Sequence, residues 1–274
     1  MAAAVTARIG MVNFINTAPF YSVWSESVHR PDWRITEAAP SHLNRLLHAG
    51  ELDLGIVSSH EYAAHPAAYL VMPDLSISAT GAVGSVCLFS QEPVEKLDGR
   101  LINLSPQSQT SNQLVKIILE DFCGISPRYA ADSADDTAAA LLAIGDEALR
   151  LSGRRAYRYE MDLGAQWQRH TGLPFVFAVW AVRRDFYENN RETIREIHDT
   201  LDLCIHEGAG RLAGICQTVA PRIPMDEKAC FRYLKGLEYD LGPDKIRSLE
   251  YFYRKLIERG EADAGALPVA FCSC

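Results

Sequence analysis

The sequence has no C-x-x-C pair, no block of basic residues and no apolar run long enough to span a bilayer. Each absence removes a class of function. The seven cysteines are Cys87, Cys123, Cys204, Cys216, Cys230, Cys272 and Cys274. An odd, scattered set argues against a disulfide framework and for reduced thiols in a cytosolic protein. Cys272-x-Cys274 reads as a frayed tail, because two thiols alone rarely make a structural metal site. Lys and Arg number 27 against 35 Asp and Glu, a formal charge of −8. Such a chain is a poor partner for nucleic acid, and any anionic ligand must be held by local groups. The start, MAAAVTARIGMVNF, lacks a charged region followed by an apolar stretch, so it does not read as a secretory signal. A cytoplasmic protein with no membrane association is expected, and the oligomeric state is not legible. Also missing are a G-x-S-x-G elbow, a dinucleotide fingerprint and a Gly-Lys-Ser/Thr phosphate loop. His60 and His65 frame H-E-Y-A-A-H, but an i, i+5 spacing puts them on different helix faces, and they read as surface histidines. No metal and no cofactor is expected.

What is present is an alternation of strands and helices. Apolar residues make up 48% of the 274 positions, enough for a substantial core. RIGMV (Arg8 to Val12) reads as a buried strand, followed by a strand-to-helix turn in NFINTAPF. SHLNRLLHA predicts a helix with Ser41 as N-cap and Gly50 just past its end. LDLGIV is a second strand and leads into SSHEYA, a hydroxyl-rich helix start. Strands are predicted at Val83 to Ser90, Leu101 to Leu104, Ala138 to Asp146 and Leu173 to Arg183. Helices are predicted at Asn112 to Phe122, Glu192 to His206, Asp226 to Leu237 and Gly242 to Arg259, the last with Pro243 at its first position. The pattern is α/β with mostly parallel sheets. In open sheets of that kind, ligands sit beyond the carboxyl ends of the strands. Here those ends carry Asn16-Thr17, Ser58-Ser59, Ser108 to Ser111 and Asp146.

The segment LSPQSQTSNQL carries four hydroxyls, Ser105, Ser108, Thr110 and Ser111, at one helix start. A helix N-terminus has unpaired N–H groups and a positive dipole end. With added hydroxyls it suits a carboxylate or phosphate. Plain capping by Thr110 or Ser111 is the other reading, and both stay open at this level. Asn16 offers two donors and an acceptor, as an oriented ligand carboxylate needs, or simply forms a turn. Ser85, early in a buried strand, bonds backbone or faces a cleft. Asp146 is a helix cap or a cleft residue. Asp132, Asp135 and Asp136 read as a solvated acidic loop.

Taken in order, RIGMVNFINTAPF, GELDLGIVSSHEYA, SATGAVGSVCLFS, LSPQSQTSNQL, LLAIGDEAL and MDLGAQWQRHTGLPFVFAVWA resemble the chorismate dehydratases of the futalosine route to menaquinone. The resemblance runs from about Arg8 to Arg183. It implies a two-lobed fold of the periplasmic-binding-protein type II kind, reused in the cytosol, with the ligand cleft between the lobes. The lobes expected are residues 1–84 plus 183–274, and 85–182. It implies a small-molecule substrate, chorismate, which loses water to give 3-[(1-carboxyvinyl)oxy]benzoate. It gives Asn16, which stands before Thr-x-Pro, a catalytic role. Substrate contacts are expected from Thr17, Ser58, Ser59, Ser85, Ser108, Thr110, Ser111 and Asp146. The motifs hold no obvious general base, so the substrate's own side-chain carboxylate is expected to take the proton. Two rivals stand beside this reading. One is the 1,4-dihydroxy-6-naphthoate synthase of the same pathway, which should show a catalytic His. The other is a binding module without chemistry, which fold alone does not exclude.

Overall fold

The computed structural model describes residues 5–131, 137–223 and 225–274. The acidic run Asp132, Asp135 and Asp136 lies outside them. The chain begins with strand β1 (Ala7–Val12), a single 3-10 turn (Ile15–Thr17), helix α1 (Ala18–Ser27), β2 (Trp33–Ala38), α2 (Pro40–His48), β3 (Leu54–Ser58), α3 (Ser59–Ala64) and β4 (Tyr69–Ala79). It continues through β5 (Val86–Ser90), β6 (Leu101–Asn103), α4 (Gln109–Ile117), β7 (Arg128–Ala130), β8 (Ala140–Ile144), α5 (Gly145–Arg154), β9 (Tyr159–Asp162) and α6 (Leu163–Thr171). The long strand β10 (Phe175–Arg183) follows. After it come α7 (Arg184–Asn189), α8 (Arg191–Gly210), α9 (Leu212–Val219), α10 (Glu227–Lys235) and α11 (Pro243–Glu258). Among the described residues no helix is long and apolar enough to cross a membrane.

The strands form two five-stranded sheets, ordered β2-β1-β3-β10-β4 and β7-β6-β8-β5-β9. Both are mixed, which corrects the mostly parallel expectation. β1 runs parallel to β2 and β3, but β10 is antiparallel to β3 and β4. In the second sheet β6 is parallel to β7 and β8, while β5 is antiparallel to β8 and β9. The apolar run FVFAVWAVR explains the difference. It is a strand returning from the second lobe, and its residues are buried between two neighbours of the first sheet. The expected crossing at 183 is therefore displaced, since Phe175–Arg183 pairs within the first sheet. A lobe division that follows the sheets has its second crossing between Asp162 and Phe175.

One carboxylate ties the two crossings together. Asp162 caps α6 by accepting from Ala165 N at 2.9 Å. It also accepts from Val83 N at 3.1 Å and Gly84 N at 2.6 Å. The first crossing is thus pinned to the second by two backbone donors, while the third holds α6. Trp167 of α6 is fully buried against Phe175 and Phe252, and its indole donates to Ser248 Oγ at 3.0 Å. That docks the carboxyl end of the second lobe on α11.

Two predicted helix starts are corrected. Pro40, not Ser41, opens α2, because its fixed φ suits the first helical position. α4 begins at Gln109, three residues before the predicted Asn112, with Ser108 as its cap. Gly50 ends α2 as expected, with φ +74 and its N–H on Leu47 O.

Candidate functional site

Between the sheets lies a narrow slot, about 580 Å³ of empty space when its open mouth is counted. Its walls are mostly apolar, among them Val12, Phe14, Val57, Ile144, Phe177 and Leu237. Five polar side chains reach it: Asn16, Ser58, Ser85, Ser108 and Ser111. These come from four separate stretches of sequence that the fold brings together; Asn16, Ser58, Ser108 and Ser111 are strand-end residues, Ser85 is not, and the strand-end residue Asp146 is not among the lining. No charged side chain, histidine or cysteine is among the described lining residues.

Asn16 sits in the 3-10 turn between β1 and α1. Its main-chain carbonyl accepts from the Tyr239 hydroxyl at 2.7 Å. Its side-chain Oδ1 is buried with no hydrogen-bond partner. A buried amide oxygen left unpaired is costly, and such groups concentrate where a ligand supplies the partner. Burial pushes the Tyr239 and Tyr233 hydroxyls well above the usual tyrosine range. Both stay protonated at any ordinary pH.

Ser58 closes β3 and is oriented by Asn44. The Asn44 amide donates to Ser58 Oγ at 2.9 Å, and its oxygen accepts from Ser58 N at 3.3 Å. Because Ser58 Oγ is already an acceptor, its own proton is free to point into the slot. The sequence reading missed Asn44, although a signal was there: a polar residue on the face of SHLNRLLHA that buries Leu43 and Leu47. Replacing Asn44 with Asp should lower kcat/KM about 10-fold or more. A carboxylate there would accept the Ser58 proton and turn it away from the slot. Steady-state kinetics check this, with Asn44→Ala expected to fall between Asp and the native residue.

The hydroxyls of LSPQSQTSNQL divide their work. Ser108 caps α4, its Oγ accepting from Ser111 N at 3.2 Å and from Ser111 Oγ at 3.1 Å. With both lone pairs engaged, the Ser108 proton is left for a ligand. Asn112 closes the loop by accepting from Ser105 N at 3.0 Å and donating to Ser105 O at 2.9 Å. Ser105 Oγ only accepts from Gln107 N. Thr110 does not reach the slot. Its Oγ1 accepts from His60 N at 2.8 Å and so caps α3 of the other lobe.

Three more expected contacts are placed elsewhere. Thr17 turns its hydroxyl onto the carbonyls of Val12 and Phe14, at 2.9 Å each. Ser59 donates to Val176 O at 2.7 Å and fixes α3 to β10. Asp146, in the first turn of α5, accepts from Ile15 N at 3.0 Å. Beside the slot three backbone N–H groups join the lobes: Ile15 N to Asp146, Ser41 N to Gln107 O at 3.2 Å, and His60 N to Thr110, while side-chain contacts such as Arg150 to Arg222 O, Gln113 to Glu261 and Arg259 to Glu120 and Asp121 cross elsewhere. Each of the three N–H donors lies in the opening turn of a first-lobe helix, left without a partner in its own helix. Their acceptors belong to the second lobe. Ser85 is buried at the slot, with its carbonyl accepting from Gly145 N at 2.7 Å. Gly145 has φ +57, and a Cβ there would meet the Phe14 ring at 2.8 Å, so the slot's floor requires glycine.

The chain matches a family model described as menaquinone biosynthesis over residues 7–258. It is 31% identical over 261 residues to a chorismate dehydratase of Thermus thermophilus, covering 87% of this chain and 91% of that one. It is 30% identical over 173 residues to a chorismate dehydratase of Campylobacter jejuni, covering 62% and 64% of the two chains. In fold it is similar to a Candida albicans protein described as having the generic periplasmic binding protein structural fold, with TM-score 0.72, 10% identity and coverage of 98% and 97%. The two-lobed α/β architecture is thus that of the periplasmic binding proteins, and the chain belongs to the menaquinone biosynthesis family.

Proposed function

We propose that this protein is a chorismate dehydratase, a carbon–oxygen hydro-lyase that acts without a cofactor. The observation that carries the reading is a slot with oriented neutral donors and no titratable lining group. Chorismate brings two carboxylates and a ring hydroxyl. Its C3 proton is vinylogous to the ring carboxylate, so removing it moves charge onto that group. The Ser108 hydroxyl, polarised by the two bonds it accepts from Ser111, and the remaining N-terminal N–H groups of α4 stabilise that charge as it grows. The substrate's side-chain carboxylate takes the proton from C3. The electron pair then expels the C4 hydroxyl, which leaves as water with one proton, and the ring becomes aromatic. The Asn16 Nδ2 group donates to the side-chain carboxylate and holds it against C3, a positioning role, and its unpaired Oδ1 is left to accept from a substrate hydroxyl. Ser58 and Ser85 bind the remaining polar groups.

The relatives' activity supports this reading. The lack of a lining histidine counts against the naphthoate synthase, which should use one. The test is incubation with chorismate, without added metal or cofactor, and mass detection of a product lighter by one water. Tight binding without turnover would instead mark a binding module. No interaction with chorismate would sink both readings.

The same site predicts a simple pH profile. No titratable side chain is among the described lining residues and the neighbouring tyrosine hydroxyls stay protonated, so kcat should be flat from about pH 6 to 9. It should fall only on the acid side, where the substrate carboxylate that serves as base becomes protonated. A limb centred near pH 7 would point to a protein base instead.

A further inference from the structure

His65 does not act with His60. It lies against Glu61 and His48, at the carboxyl ends of α2 and α3. One potential ligand atom from each of His48, Glu61 and His65 lies within 4.8 Å of the other two. The two imidazoles are stacked, with ring centroids 4.0 Å apart. The Glu61 side chain is only 8% exposed, and among the described residues its one ion-pair contact is His65 Nε2 at 3.9 Å. The Tyr69 hydroxyl touches Glu61 Oε1 at 3.0 Å and His48 Nδ1 at 3.4 Å. Nearby Arg183 is engaged by Asp185 and Leu47 O.

We infer that His48, Glu61 and His65 form a divalent transition-metal site of the zinc class, with a fourth position open to solvent. Two imidazole nitrogens and a carboxylate oxygen are a donor set that suits Zn²⁺ and disfavours Mg²⁺ or Ca²⁺, which prefer oxygen alone. A buried carboxylate without a Lys or Arg partner is an uncompensated charge that a cation would balance. His48 and His65 stand where the negative ends of two helices meet, which again favours a cation. Tyr69 supplies the outer hydrogen bonds that orient such ligands. Bond lengths near 2.0–2.1 Å require the ligand atoms to close up by roughly 1 Å, and the two exposed rings can do so by rotation. The ion would bridge the outer ends of α2 and α3, whose inner ends bear on the slot through Pro40, Ser58 and, by way of Ser58, Asn44.

The test uses the full, tag-free chain stripped with a chelator. ZnCl₂ is titrated by calorimetry, and Co²⁺ by its visible absorption. Wild type should take up about one equivalent and gain roughly 3 °C or more in Tm at saturating Zn²⁺. His48→Ala and His65→Ala should each lose that uptake while keeping the metal-free Tm, and His206→Ala, at an exposed site elsewhere, should keep it. If wild type binds no more ion than the His48→Ala/His65→Ala double variant, the assignment is wrong.

Discussion

Asn16→Ala should lower kcat by about 10²- to 10³-fold and move KM by less than about threefold. The asymmetry follows from what the side chain touches. Its Oδ1 has no partner among the described residues, so its loss breaks no hydrogen bond of the fold at that atom. The main-chain carbonyl of residue 16 keeps its bond from Tyr239 whatever side chain it carries. What disappears is the group that keeps the substrate's carboxylate in reach of C3. Binding draws on the α4 donors and the apolar walls, which remain. Asn16→Asp should be worse in both parameters, because it sets one carboxylate against another in a slot without a cation. Steady-state kinetics with chorismate decide the matter. If Asn16→Ala turns over like wild type, the positioning role is wrong.

Gly208→Ala should destabilise the fold by about 3 kcal/mol or more. A Cβ at Gly208 would stand 1.7 Å from the Pro19 carbonyl oxygen. That is a backbone atom, so no side-chain rotation relieves the clash, and α1 and α8 must move apart. For a chain of this size the loss corresponds to a fall in Tm of roughly 6–12 °C. Gly210, two residues on in α8, has nothing within 4 Å of its would-be Cβ. Gly210→Ala should be neutral or stabilise by up to about 1 kcal/mol, because alanine favours the helix. Urea or thermal unfolding of the pair separates packing from propensity. Equal Tm values for the two variants would mean the helix crossing is loose. Pro19 lies three residues from Asn16, so Gly208→Ala should also lower turnover in whatever fraction stays folded.

The elements readable from sequence were those whose residues share one environment. β3 and β10 are apolar up to their last residues, Ser58 and Arg183, because both faces are largely covered, and α11 announces itself with Pro243 at its first position. β4 was not readable, since Pro73 and Asp74, the latter at φ 61, interrupt YLVMPDLSISA. β7 and β9 are short, with partly exposed residues at sheet edges, so they carry little hydrophobic signal. Strand direction was illegible for a different reason. Nothing local tells an antiparallel return from a parallel crossover when both are fully buried. At the site, the sequence marked where hydroxyls cluster but not where they point. Ser108 and Thr110 are two residues apart and face different lobes. Asn44 and Tyr239 act from distant segments, and only the tertiary fold shows whom they hold.

The three N–H bonds that cross between the lobes at the slot also bear on how the lobes part. At about 1 kcal/mol net each, they contribute on the order of 3 kcal/mol to the contact, beside the ion pairs of Arg259 and Lys255 with Glu120 and Asp121 that cross at α11. A ligand that enters only when the lobes part has its apparent affinity reduced by the fraction of molecules in the parted form. Weakening one latch, for example with Asp146→Ala, makes the free protein gape more often. Substrate should then be captured faster and also escape faster, so the latches set commitment to reaction as well as shape.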